Sequence, residues 1–502
     1  MGEHSLVKVS ESGHLIRIAI VAVIATMVVF ANLVHADFAG DDWHYLALLR
    51  HIDSPIDIFS SNIAGAYFYR PIALFLFWLS EAILGINPIA HYGINVALHG
   101  WVAFEVFALA TTISKARVAS AWAGTLFLLL PASTGTTLWV SDRFDLLATA
   151  AMLGSLRLMI RWTRAPMRQR GVVLRSLAMA LLAIGSKETA FALIPALLFV
   201  LLGNDSRGRR SRLLTAGTVM SIAGLAVCCR VAALNGWKGD ESLPVTATVI
   251  ASGTAIWLAN LAVALQAHHG HVALAALGLV ALAAALCARG GRSASSPLPS
   301  VNSMAALLIL LAGIVLAQSP VALTALPRHG DELPTVSLRF FYTPLALFAI
   351  MGATCFSRLT FKNVWLLRAL RLSVVSAVAI STFGSAEQSA IWAKNTSTEA
   401  QLAALPLAEY ALLAKQKQTR NPCLVRLPSA PPLPDLDLRF KASLATSDAR
   451  INCALITQPA QAQTITRFAN CQSAGVLPAR STTAGLEPWV RSGTCTYFFL
   501  SE

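Results

Sequence analysis

Across 502 residues the chain is 56% hydrophobic and 13% charged, with 39 Lys and Arg against 25 Asp and Glu, a net charge of +14. A soluble domain carries about 25% charged residues, so this composition excludes an ordinary soluble protein and describes a polytopic membrane chain. The basic excess falls in short clusters between apolar runs rather than on one patch, which argues against nucleic acid as a partner and marks cytoplasmic loops.

Residues 17–35 are the first apolar run. They exceed the apolar core of a cleavable signal and lack a clear small-residue cleavage site, so they read as a span leaving from an inside N-terminus. The stretch "FAGDDWHYLALLR" (38–50) then places Asp41 and Asp42 at the edge of that span. Charge within reach of hydrocarbon is expensive unless solvated, paired or used, so the pair is a functional candidate; either carboxylate could instead cap the helix that starts there. Next, "PIALFLFWLSEAILGI" (71–86) is barely span length, holds Glu81 and lies between Arg70 and Asn87-Pro88. It predicts a helix along the interface, with Pro71 in its first turn and 36–89 as one long external loop.

Further apolar runs of span length lie at 90–113, 118–133, 144–160, 213–233, 271–288, 303–323, 341–356 and 364–383. Residues 176–203 are apolar except for Ser186, Lys187 and Glu188, and both flanks are Arg-rich, which predicts two short helices turning near Lys187. Residues 247–266 are taken as a partial span, because a full one would invert everything downstream. The expected fold is an all-α helical bundle of about 11 spans over 1–383, followed by a small extracytoplasmic α/β or mixed domain over 384–502. That tail carries Cys423, Cys453, Cys471 and Cys495, which suit two disulfides in an oxidising compartment; four free thiols are the alternative.

Under this topology polar groups gather on the external side: Asp41, Asp42, Tyr69-Arg70-Pro71, Asn95, His99, Ser141-Asp142-Arg143, Asp145, Lys187-Glu188, Arg339 and Tyr342. Both signs of charge around a cavity at the membrane surface suit an anionic headgroup held by cations beside a carboxylate that takes a proton. Each group also has a plainer reading. Arg70 could snorkel from the interfacial helix, Asn95 and His99 could hydrogen-bond a neighbouring helix, Arg143 could pair with Asp145, and Lys187 with Glu188 could stabilise a turn. Asp41, His44 and His51 hint at a metal but show no metal-ligand spacing, so no cofactor is expected, with a divalent metal as the alternative.

In order along the chain stand the acidic pair, "YRPIALFLFWLSEAILGINPIAHYGINVALH" (69–99), "WVSDRFDLLATAAMLGSL" (139–156), "AIGSKETAFALIP" (183–195) and "LRFFYTPLALF" (338–348). In this the chain resembles the class C (GT-C) glycosyltransferases over about residues 15–360. It is most similar to the protein O-mannosyltransferase-like branch that includes the transmembrane and tetratricopeptide-repeat transferases, with lipid A aminoarabinose transferases as more distant relatives. Two features depart from the pattern: "LLPASTGTTLWVSDRFDLL" has no histidine where the family carries a His-Pro-x-His element, and no tetratricopeptide repeats follow the spans.

The resemblance implies transfer of a sugar from a polyprenyl-phosphate-linked donor to a glycan, lipid or protein acceptor on the extracytoplasmic face. It implies Asp41 as general base with Asp42 second, and Arg70 at the lipid phosphate with Lys187, Arg143 and Arg339 in support; Tyr69, Asn95, His99, Asp145, Glu188 and Tyr342 complete the expected site. Membrane lipids are the other expected partners. A bacterial inner membrane, N-terminus inside and tail in the periplasm, is the expected location. The rivals are a lipid or glycan transporter or flippase, an O-antigen polymerase or ligase, and an inactive scaffold of the same fold.

Overall fold

The computed structural model describes residues 2–39, 41–50, 52, 54–61, 63, 68–164, 170–203, 208–234, 246–266, 301–326, 335–357, 364–415 and five strands between 421 and 500. The chain forms two compact units: Met1–Leu33, Ile56–Leu76 and Ala90–Ile391 make the first, and Val34–Pro55, Phe77–Ile89 and Trp392–Glu502 the second.

The first unit is helical. Its helices in chain order are α1 (Gly2–Phe30), the short α3 (Asp57–Ser60), α5 (Pro88–Ser114), α6 (Arg117–Leu129), α7 (Pro131–Thr137), α8 (Arg143–Arg164), α9 (Arg170–Ile184), α10 (Leu193–Leu202), α11 (Arg209–Ala233), α12 (Ala247–Gln266), α13 (Val301–Ala325) and α14 (Arg339–Phe356). Helix α4 (Pro71–Leu84) and the 52-residue α15 (Val364–Lys415) each contribute to both units. Helix α8 is the centre, buried along nearly its whole length. Its small residues Ala148, Ala151 and Ser155 let α9 come close enough for side chains to bond backbone: Ser155 Oγ donates to Ser176 O, and Ser176 Oγ to Ser155 O, both at 2.8 Å. Glu105, buried within α5, would be prohibitive alone in such a core; the guanidinium of Arg157 takes it in a two-pronged contact of 2.7 and 2.9 Å.

Among the described residues six helices are long and apolar enough to cross a membrane, and α6 with α7, bent by 58°, makes a seventh candidate. The expected interfacial segment is the 14-residue α4, too short for a straight crossing. Residues 176–203 do break near Lys187, into α9 and α10 joined by a 3-10 turn at Glu188–Ala192. Residues 247–266 correct the expectation of a partial span: they form the continuous 20-residue α12. Its polar residues are absorbed locally, Asn260 Nδ2 donating to Ile256 O at 2.9 Å, while Gly253 meets the backbone of Ser319 and Trp257 Nε1 bonds Gln318 Oε1 at 3.0 Å, both on α13. The expected span at 271–288 lies outside the described residues. Helix α15 runs through the expected domain boundary at 383 without a break.

The second unit holds α2 (Asp41–Arg50), the end of α4 and strands of the tail. Phe38, Tyr45, Leu46, Leu49 and Phe77 are buried there, with the Tyr45 and Phe77 rings 5.9 Å apart. Gly85, at φ 63°, ends α4 in the left-handed conformation that lacks a Cβ penalty. Strand β1 (Asn421–Arg426) pairs in parallel with β5 (Cys495–Leu500), which pairs antiparallel with β4 (Leu486–Ser492); β2 (Thr464–Ile465) and β3 (Leu477–Pro478) form a separate pair. The side chains of Cys423 and Cys495, and all of Cys453 and Cys471, lie outside the described residues, and so do the expected disulfides.

Candidate active site

The "YRP" residues lead into α4 outside any regular element, and Pro71 takes the first helical position, where its missing N–H is no loss. Ile72 N–H donates to Gly185 O at 3.0 Å, so "YRP" and "GSKE" are held side by side. The result is an ion network. Glu188 accepts from Arg70 through Nε at 3.0 and 3.2 Å and Nη2 at 2.9 Å, and Arg230 reaches the same carboxylate through Nη1 at 3.3 Å. Arg70 also lies over the Phe68 and Phe144 rings, 4.3 and 5.4 Å from their centroids, which fixes the plane of its fork. Tyr69 turns away, its hydroxyl donating to Phe59 O at 2.7 Å.

Two more cations follow the same pattern. Lys187 Nζ bonds Asp145 Oδ1, both groups buried. Arg339 Nη1 bonds Asp142 Oδ1 at 3.2 Å and lies over the Trp139 ring at 4.9 Å. Lys187 is within electrostatic reach of Arg70 and Arg339, so the three pairs form one cluster. Burial pushes the Lys187 ammonium below its ordinary value, and Asp145 restores part of the loss. Burial likewise pushes the Asp142 carboxyl up to about 8, with Arg339 and Lys187 pulling against it and Asp145 adding to it.

Arg143 has a different position. It is fully buried, its Nε donating to Asn95 Oδ1 at 3.3 Å and its Nη2 to His91 O at 3.2 Å. Asn95 Nδ2 in turn donates to Trp139 O at 2.9 Å and Val140 O at 3.3 Å, so Arg143 and Asn95 brace the turn that carries Asp142. The expected Arg143–Asp145 pairing gives way to Asp145 with Lys187. His99 Nδ1 lies 2.7 Å from Tyr342 Oη and its Nε2 lies 2.9 Å from Leu128 O. That arrangement requires the proton on Nε2 and a Tyr342 hydroxyl donating to Nδ1; packed against Phe127, the pair ties α5, α6 and α14 together.

Asp41 and Asp42 belong to the second unit, in the first turn of α2. Asp42 is buried and its Oδ2 accepts Ala39 N–H at 3.2 Å while its own N–H donates to Ala39 O at 3.1 Å, the reciprocal contact of a helix N-terminus. Capping therefore accounts for Asp42, and Asp41 beside it is only partly buried. Among the described residues no group of three or more His, Cys, Asp or Glu is placed to hold a metal; His51 and the His44 side chain lie outside them.

Arg230 is the site residue that sequence reasoning missed, though an arginine near the end of the apolar run 213–233 was the signal. It opens on a cavity of about 210 Å³ lined by Tyr69, Ile72, Leu181, Glu188 and Phe191, largely apolar with charge at one end.

No family model matches the chain. It aligns with the ArnT of Cupriavidus metallidurans bound to undecaprenyl phosphate at a TM-score of 0.54 and 17% identity, covering 84% of each chain. It aligns with the archaeal oligosaccharyltransferase AglB from Archaeoglobus fulgidus, in complex with an inhibitory peptide and a dolichol-phosphate, at 0.54 and 12% identity, covering 90% of this chain and 65% of that one. The chain has a GT-C fold. In sequence it is 27% identical over 180 residues to the protein O-mannosyl-transferase Tmtc1 of Drosophila melanogaster, a match that spans 20% of that protein's length. The expected helical membrane architecture is borne out by this fold and by the apolar helices.

Proposed function

We propose that the chain transfers a sugar from a polyprenyl-phosphate-linked donor to an envelope glycan, lipid or protein acceptor on the extracytoplasmic side of a bacterial inner membrane. The observation that carries this reading is the cluster of Arg70, Arg230, Lys187 and Arg339, each paired with a carboxylate, beside a largely apolar cavity. Paired cations in an apolar setting are held in place before any ligand arrives, and they stabilise the charge that develops on a departing phosphate. Arg70 is assigned to two phosphate oxygens through its planar fork, with Lys187 and Arg339 as point contacts. The cavity behind Arg230 suits the first apolar units of the lipid. Asp41 is assigned as the base that takes the acceptor's hydroxyl proton, because capping already occupies Asp42. Arg143, Asn95, His99 and Tyr342 are positioning residues that hold the helices and the turn bearing Asp142.

The likeness to structures holding undecaprenyl phosphate and dolichol-phosphate supports the lipid class of the donor. The test is deletion of the gene, comparison of envelope glycans by mass spectrometry, and complementation with Asp41→Asn and Arg70→Ala. Loss of one glycan on deletion, restored by wild type and by neither variant, is the expected result. Full restoration by both variants overturns the residue assignment, and an unchanged glycan profile on deletion overturns the activity.

A further inference from the structure

Asp142 is the carboxylate of the cluster that keeps a fully buried oxygen without a hydrogen-bond partner. Its side chain is 1% exposed; Oδ1 holds Arg339, and Oδ2 is buried and takes part in no hydrogen bond. An unsatisfied buried carboxylate oxygen is costly and calls for an explanation. The groups that bear on Asp142 come from every side of it: Arg339 from α14, Asp145 from α8 and Lys187 from the turn before α10. Within the cluster Arg70, Arg230, Lys187 and Arg339 face Glu188, Asp145 and Asp142, an excess of a single positive charge while all three carboxylates are ionised. Ionised, Asp142 also occupies the guanidinium that a phosphate would use.

We infer that binding of a lipid phosphate monoester is coupled to uptake of one proton from solvent by Asp142, which frees Arg339 and turns Oδ2 into a donor toward a phosphate oxygen. The inference rests on the donor class proposed above and deepens it. The fold sets the coupling. Protonation raises the excess charge of the cluster by one, matching the dianion that a monoester becomes when it leaves its sugar, and it satisfies the oxygen the protein leaves bare. Because linkage is reciprocal, the factor by which the proton on Asp142 strengthens the hold on the phosphate is the factor by which the bound phosphate strengthens the hold on the proton. Release of the spent lipid would then follow loss of that proton.

The test is isothermal titration of the detergent-solubilised full chain with farnesyl phosphate, in buffers of different ionisation enthalpy and over a pH series, for wild type and Asp142→Asn. With the free carboxyl at about 8, wild-type affinity is expected to fall about tenfold more per pH unit above that value than the variant's. Above that value wild type should also take up close to one proton more per ligand bound, and progressively less below it, where Asp142 already holds its proton. The variant cancels the ligand's own titration, which both proteins share. Asp142→Ser serves the same comparison should the amide variant not fold. Parallel pH profiles with equal proton uptake overturn the coupling. So does a wild-type uptake no larger than the ligand's own titration supplies, a result that needs no variant. Failure of wild type to bind farnesyl phosphate at any pH overturns the donor reading, and the coupling with it.

Discussion

Ile72 donates its backbone N–H to the carbonyl of Gly185, and a Cβ added at Gly185 would stand 2.5 Å from Ile72 Cδ1 and 3.2 Å from Leu181 O. The missing side chain is what lets the start of α4 lie against the end of α9 and brings Arg70 to Glu188. Gly185→Ala is expected to destabilise by about 1–3 kcal/mol through overpacking and to lower activity further by displacing Arg70. Adding Ile72→Ala should recover much of both, since it removes the atom that collides. Thermal melts and glycan complementation of the single and double variants check this; an additive double variant refutes it.

Glu188 holds two arginines, and both depend on it. Glu188→Gln leaves Arg70 and Arg230 facing each other without the shared negative charge. The group is partly exposed, so we expect a loss of about 1–2 kcal/mol, below the 3–5 of a fully buried pair, together with at least a tenfold loss of turnover. Denaturation and a transfer assay on purified protein measure the two separately.

Lys187 and Asp145 are buried together, so removing one partner is worse than removing both. Asp145→Asn strands an ammonium and is expected to cost about 3–5 kcal/mol, whereas Asp145→Leu with Lys187→Met should come back to near wild-type stability. Activity should return in neither. Recovery of activity in the double variant would show that the pair is structural only.

The pH dependence of stability follows from the direction of the Asp142 shift. Burial raises its folded carboxyl to about 8 from an ordinary value of 3.8, so the folded state binds the proton more tightly than the unfolded one. That contribution is fully present below the unfolded value and is lost as pH rises through the folded one. Wild type should therefore lose stability relative to Asp142→Asn between about pH 4 and 8 and run parallel to it above. Melting temperatures across that series decide it; a constant difference refutes the shift.

Tyr342→Phe removes the hydroxyl that His99 Nδ1 accepts from, leaving a buried ring nitrogen unsatisfied. A loss of about 1–3 kcal/mol is expected, with the affinity for prenyl phosphate unchanged at fixed temperature. A changed affinity would move Tyr342 from bracing the helices to contacting substrate.

Much of this site could be read from residue order alone. An arginine before proline, a lysine-glutamate pair breaking an apolar run and a turn rich in carboxylates each stand where charge is too costly to be idle, and the structure gathers Arg70, Lys187, Glu188, Asp145 and Arg339 into pairs. Pairing itself was not legible. Arg230 and Asp142 meet their partners from 42 and 197 residues away, and no local pattern carries such distances. Glu105 and Arg157 were invisible for the same reason, each looking like an isolated charge until the helices pack. Residues 247–266 were misjudged because the sidedness of the downstream loops was held fixed and a full span there would invert it; the segment itself is a continuous helix in which bonds such as that of Asn260 to Ile256 O take care of its polar groups.

The bend between α6 and α7 frees a run of carbonyls, and each is claimed from elsewhere. Ser133 Oγ bonds Phe127 O and Leu130 O, His99 reaches Leu128 O, and Ser385 of α15 reaches Leu129 O at 2.7 Å. A kink tied at every rung behaves as a rigid elbow rather than a hinge. The segment just beyond it, which carries Asp142, is thus anchored to immobile scaffolding, and any motion that the proposed lipid donor requires must be sought in other parts of the bundle.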